Sequence, residues 1–346
     1  MSCPQIYLGT TRSAGPLPDE YANNSVVPPT YYVQSGVQIS VQVTVYNHGT
    51  DPAPATQLEL FWTTPGTFVA PVNLIVFPMQ PPPTYSFADS EITGAVNFGS
   101  EGVGVVNVPW KPSTIGHFCL FARLKNTANP SGPCSLQSYG DGGAAPPNDP
   151  LSGIHNVQVI TGLGHNAPPP HRRWPMWFAF AAGNSFHGIE DTKLTVRVLD
   201  PVKDREKLQH LVAQKGIDRA LSHRNLKFAV PNGVHVAEGR ERIILPQSLL
   251  YRKPEAHVCV PQMTHFGEVS PELAKSLTLP GSRLIEAAKG PIDIKLLPGE
   301  QRQTLVQVEP GDHDNAVYAV EVSHHGADGR SIGGLVLLFV PPHSYF

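Results

Sequence analysis

Along residues 38–46, QISVQVTVY, apolar and polar side chains alternate: Ile39, Val41, Val43 and Val45 fall on one face, Gln42 and Thr44 on the other. A period of two over this length predicts a half-buried β-strand. Six turn formers follow, Asn47-His48-Gly49-Thr50-Asp51-Pro52, and then a second strand signal, QLELFW, from Gln57 to Trp62. Gly102–Val108, Gly116–Leu124 and His155–Ile160 carry similar patterns between clusters of Pro and Gly. Trp62 and Phe118 are expected to pack near the valine face. Short strands separated by turn clusters, with no sustained helical period, predict an antiparallel sandwich.

The second half repeats the theme. Leu194, Val196 and Val198 alternate in TKLTVRV, and Ile292–Leu297, Gln303–Val308, Ala316–Val322 and Gly334–Val340 read as strands. Two helical pieces interrupt them. One starts at Asp200-Pro201 and runs through Leu208, Leu211 and Val212 towards Leu221; the other starts at Ser270-Pro271-Glu272. Both are expected as insertions, near 201–224 and 270–288. The aromatic strands at GHFCLFARL and NAVYAVEV, each after a turn, make the halves look like two divergent copies of one architecture.

Composition supports this picture. Glycine (31) and proline (36) are too frequent among 346 residues for a largely helical protein. Charged residues make up 15%, well below the usual ~25%, which excludes a solvated coiled coil or a charged tail protein. A formal charge of -3 offers nothing to a phosphate backbone, so nucleic acid is not an expected partner. The charges are unevenly spread: 4 bases and 9 acids lie in residues 1–165, against 21 and 19 after them. Between the halves, TGLGHNAPPPHRRW contains three consecutive prolines that favour an extended spacer. The expected organisation is a low-charge sandwich over 1–165, a linker over 166–175 and a second sandwich over 176–346.

Residues 37–62, with the Asn47-His48-Gly49 turn between alternating strands, resemble bacterial immunoglobulin-like modules of the CARDB type. Val108-Pro109-Trp110-Lys111-Pro112 leading into Gly116-His117-Phe118-Cys119 looks like the late strands of such modules. The likeness covers about residues 30–160. The antibody pattern is missing, since Val41–Val45 holds no cysteine to pair with Cys119. The resemblance implies an immunoglobulin-like sandwich for the first half and a spacer, adhesion or assembly role without catalysis; with the strand pattern of the second half, the fold expected is all-β, two tandem immunoglobulin-like antiparallel sandwiches.

No H-E-x-x-H, C-x-x-C or phosphate loop occurs. Gly162-Leu163-Gly164-His165-Asn166-Ala167 spells G-x-G-x-x-A but runs into prolines rather than a helix. Among the fifteen histidines, His257, Cys259, Met263 and His265 offer imidazole, thiolate and thioether in one stretch, a copper-like ligand set. Copper sites of that type usually place histidine between cysteine and methionine, and here Met263 precedes His265; the plainer reading is a strand with Cys259 and Met263 in a core. Asp312 and Asp314 are calcium candidates or, more simply, part of an Asx-rich turn. His324-His325-Gly326 is expected to begin the last hairpin turn. Asn184-Ser185-Phe186-His187 holds a hydroxyl and an imidazole too close in sequence for a nucleophile and base pair. His171-Arg172-Arg173-Trp174 is a linker contact rather than a nucleic-acid groove.

Cys3, Cys119, Cys134 and Cys259 form no dense framework; free thiols are the simplest reading, with a Cys119–Cys134 bridge as the alternative. Met1–Thr10 shows no secretory n-region and h-region, which predicts synthesis in the cytoplasm with incorporation into a particle or leaderless export. The apolar runs Trp174–Ala182 and Leu335–Val340 fall short of the ~20 residues that span a bilayer. No cofactor is implied. Strand edges are normally blunted by charge, and the first half has little of it, leaving Pro78–Pro83 and Pro146–Pro150 as candidate covers. The function expected is therefore a non-enzymatic structural or interaction protein, a subunit or accessory component of a larger assembly or surface array, with protein partners or self-association. The alternative is a copper- or calcium-binding sandwich using the histidines, cysteine and aspartates of the second half.

Overall fold

A computed structural model describes residues 6–7, 26–28, 36–47, 56–63, 65–67, 90–92, 102–111, 119–126, 152–160, 175–183, 190–213, 226–244, 265–287, 290–297, 300–311, 315–327, 329 and 331–340. The fold is mostly β, and the chain divides into two compact units. One comprises Met1–Thr63 with Val69–His155, the other Thr64–Phe68 with Asn156–Phe346.

In the first unit, the alternating segment becomes β3 (Ile39–Asn47), flanked on one edge by β1 (Ile6–Tyr7) and β2 (Val26–Val27). Its other edge carries β6 (Gly102–Trp110), antiparallel over all nine residues from Ile39↔Trp110 to Asn47↔Gly102. Val41, Val43 and Val45 are fully buried while Gln42 and Thr44 are half-buried, so the period of two does place one face on a core. A second sheet runs in the order β5 (Ser90–Ile92), β4 (Thr56–Thr63), β7 (Cys119–Asn126), β8 (Ser152–His155), again antiparallel. It contributes buried Leu60, Leu120 and Ala122.

The second unit is built from two sheets. The first runs β14 (Gly267–Val269), β10 (Met176–Gly183), β17 (Glu300–Glu309), β13 (Gly233–Ile244), β15 (Ile285–Glu286). The second runs β16 (Ile292–Leu296), β11 (Glu190–Val198), β18 (Ala316–His325), β19 (Ser331–Phe339), β9 (Val157–Ile160). β9 lies parallel to β19, and β12 (Lys227–Phe228) joins β18 in parallel. Phe178, Phe180, Val234, Val236, Val306 and Val308 of the first sheet share one buried cluster with Leu194, Val196, Val320, Val322, Leu335 and Phe339 of the second. Two sheets facing each other across such a layer make a sandwich.

Two short helices accompany these sheets. Asp200 accepts hydrogen bonds from the backbone of Val202 and Lys203, so residues 201–204 form a turn and α1 (Arg205–Ala213) starts later than the Asp200-Pro201 pair suggests. α2 (Pro271–Leu277) starts as its sequence predicts, with Pro271 in its first turn and the Ser270 hydroxyl accepting from Leu273 N at 3.2 Å. Its Ala274 and Leu277 pack with Trp177, Ala179, Ala237, Val269 and Leu305, covering the outer face of the first sheet.

Two strands and one turn differ from the sequence expectation. β10 is buried at all eight positions, so it has no alternation to read, only an apolar run. The polar end of β13, Arg240-Glu241-Arg242, hid the longest strand among the described residues; a register shift between Glu238 and Arg242 marks a bulge there. His324 does not open a turn. It lies fully buried inside β18, opposite Gly333, and the hairpin turn falls beyond it, where Gly329 N donates to Gly326 O.

Candidate functional site

The features able to serve a function follow from how strands end and what they bury. β6 is the first. Its ladder passes through the pair Ser40↔Pro109, and proline has no N–H to give, so Pro109 must turn its N side away from β3. By alternation, Gly104, Val106 and Val108 then bond to β3, while Val103, Val105 and Asn107 direct N–H and C=O outwards. Among the described residues β6 has one ladder partner, β3. Val105 is 51% exposed, Asn107 and Pro109 are also exposed, and none of the nine residues is charged. The second unit blunts comparable edges with charge: β16 exposes Asp293 and Lys295.

The second feature is a buried polar bridge in the second unit, made by residues 65–67. Thr67 N donates to Ala181 O at 2.9 Å and Ala181 N to Pro65 O at 3.1 Å, tying this segment to β10. Asn156 ties it to the opposite sheet: its amide donates to Gly66 O at 2.7 Å and to Gly334 O at 2.8 Å, while its Oδ1 accepts from Gln158 Nε2 at 3.0 Å. His324 completes the bridge, with Nδ1 3.0 Å from Thr67 Oγ1 and Nε2 2.8 Å from Thr192 Oγ1. Thr192 gives its own proton to Ile294 O at 3.0 Å, so His324 Nε2 must donate to Thr192. Burial keeps the ring neutral, and its Nδ1 then accepts from the Thr67 hydroxyl. Burial, with a smaller contribution from the charge of His325, pushes its pKa down to about 3.

Two buried carboxylates are held by cations. Glu321 is bound by Arg197, through Nη2 at 2.9 Å and Nε at 3.2 Å, and by Lys207 of α1. Arg197 also reaches Asp204 at 2.6 Å. Partial desolvation raises the Asp204 carboxyl, but the backbone N–H of Asp200 and the Arg197 guanidinium outweigh it and hold the group below its usual range. Glu300, fully buried, receives Arg242 Nε at 2.8 Å, Arg302 Nη2 at 2.7 Å and Leu297 N at 2.7 Å. Carboxylates saturated in this way brace strands and make poor general bases.

Of the proposed metal ligands, His257, Cys259, Met263, Asp312 and Asp314 lie outside the described residues. His265 is described: its Nδ1 sits 3.2 Å from Glu241 Oε1, and its backbone carbonyl accepts from Gln303 Nε2 at 2.8 Å. Among the described residues no group of three His, Cys, Asp or Glu gathers for a metal. Cys119 is a free, buried thiol whose pKa is raised by desolvation, the opposite of an activated nucleophile. Cys134, Gly162–Ala167, His171–Trp174 and Asn184–His187 are outside the described residues. Sequence reasoning missed Thr67, Asn156 and Thr192 altogether, since a bridge between segments 90 and 257 positions apart leaves no local pattern. Among the described residues no helix is long and apolar enough to cross a membrane.

No protein-family model matches the chain, and no curated protein matches it. The likeness to CARDB-type modules therefore rests on residues 37–62 and 108–119 alone. Two solved structures show a distant similarity. One is the collagen adhesin of S. aureus, at 8% identity over 91% of each chain with a TM-score of 0.23. The other is CfaE, the adhesive subunit of the CFA/I fimbria of enterotoxigenic Escherichia coli, at 6% identity over 98% of this chain and 94% of that one, with a TM-score of 0.20. Scores this low carry no functional argument.

Proposed function

We propose that this chain is a non-enzymatic structural or interaction protein, a pair of tandem immunoglobulin-like sandwiches that joins a larger assembly through its first unit. The observation that carries the reading is β6, a nine-residue strand with no charge and an exposed Val105, in a half of the chain with 13 charged residues in 165. Charge is the usual device that keeps a strand edge from pairing with another chain, and it is missing there. The saturated carboxylates and the neutral His324 support the same reading, because groups so engaged serve the fold.

Light scattering on the full chain over a range of protein and salt concentrations tests it. Assembly that persists from low to moderate ionic strength is expected, since few ion pairs are available to screen. A chain that stays monomeric at high concentration, or an assembly dissolved by moderate salt, counts against the reading. Stoichiometric metal in the purified protein would favour a metal-binding role for His257, Cys259, Met263 and His265, or for Asp312 and Asp314. The organisation proposed with it, residues 1–165 and 176–346 joined by 166–175, predicts that limited proteolysis cuts first between Ala167 and Arg173 or within Lys203–Arg224.

A further inference from the structure

We infer that the outer edge of β6 is a pairing site for the β6 of a second copy of this chain, the two strands running antiparallel about a twofold axis at Val105. This rests on the assembly reading above and deepens it by naming the occupant and the register.

The register follows from Pro109. Val103, Val105 and Asn107 direct their backbone groups outwards, and Pro109 sits at the next outward position without an N–H. Centring the twofold on Val105 pairs Val103 with Asn107 of the second copy, Val105 with its equivalent, and Asn107 with Val103. All six N–H groups then meet six carbonyls in the hydrogen-bonded pairs of an antiparallel ladder. Centring it on Asn107 brings both copies of Pro109 into the ladder and removes two of the six donors. Pro109 thus sets where pairing stops.

The occupant follows from charge and symmetry. An uncharged strand meets its own copy with no like-charge repulsion and no charge to desolvate, whereas the edge strand β16 carries the charges of Asp293 and Lys295. An antiparallel strand pair is also self-complementary, as a twofold interface requires. Gly102 and Gly104 put no side chain beside Val103, a feature common where a second backbone approaches closely.

The test uses the full chain. Val105→Cys, mildly oxidised, should give a disulfide-linked dimer on a non-reducing gel that the wild type lacks. Directly opposed residues in such pairs lie about 5.5 Å apart at Cα, inside the disulfide range of about 4.4–6.8 Å. Val103→Cys alone should not cross-link, while Val103→Cys with Asn107→Cys should. Val105→Lys, at an exposed position, should weaken dimerisation at least tenfold by sedimentation yet keep the wild-type melting temperature when both are measured at concentrations low enough for both to be monomeric. Self-association that Val105→Lys leaves unchanged, together with no cross-link in the Val105→Cys variant, overturns the β6 pairing while leaving the assembly reading intact. A wild type that is monomeric throughout overturns both.

Discussion

Protonating His324 should destabilise the second unit, and the size of the effect can be worked from the structure. In the unfolded chain the imidazole titrates near its ordinary value of 6.5; in the fold its pKa falls to about 3 because the ring is buried, with a smaller contribution from the charge of His325. Below pH 6.5 the unfolded state therefore binds more protons than the native one, and stability falls as pH falls. The stabilisation is fully present above pH 6.5 and drains away towards pH 3, at about 1.4 kcal/mol per pH unit. The loss from this one group is about 2 kcal/mol at pH 5 and about 3 kcal/mol at pH 4. Asp200 and Asp204, whose carboxyls are also shifted, add an acid limb of their own, so the comparison must be with a variant lacking the imidazole. His324→Gln retains a donor and an acceptor for Thr192 and Thr67 and cannot titrate. Urea denaturation at half-unit steps from pH 7 to 4 should find the variant about 1–3 kcal/mol less stable at pH 7, for imperfect hydrogen bonds. The gap should close or reverse by pH 4. Equal slopes for wild type and variant across that window would refute the assignment of a neutral, bridging His324.

Asn156→Ala should cost about 3 kcal/mol or more in the same denaturation assay, because it removes the side-chain donor that reaches both Gly66 O and Gly334 O in the interior and the acceptor of Gln158 Nε2. Gly239→Ala would bring a Cβ within 2.6–2.8 Å of the Gln303 side chain, which is fully buried and held to His265 O. A loss of about 1–3 kcal/mol from overpacking is expected, read as a lower thermal midpoint. In the first unit, Val43→Asp should cost several kcal/mol, on the order of 3–5 for an unpaired buried charge, and give insoluble protein. Thr44→Asp, half-buried on the opposite face, should be mild, and equal damage at both positions would contradict one-sided burial of β3.

Much of the β content was legible because local chemistry specified it. Ile39–Asn47 alternates, and its valine face is buried in the fold; Ser270-Pro271 starts a helix because the hydroxyl and the proline both suit a first turn. These are properties of a few neighbouring residues, and neighbours in sequence record them. What tertiary structure alone decided are features whose cause lies far along the chain. Met176–Gly183 is a strand because β14 and β17 flank it and other layers bury both its faces. β13 continues past the bulge at Arg240-Glu241 because β17 pairs with it again from Arg242 to Ile244 and places Glu300 beside Arg242. His324 looked like turn material next to glycine. Only Thr67, 257 residues away, and Thr192 on the neighbouring strand give its nitrogens partners, and those partners make a buried neutral imidazole more favourable than an exposed one. The sparse charge of the first half was visible in composition, but the edge to which it matters was not: pairing topology placed β6 beside β3 and left Val105 facing out.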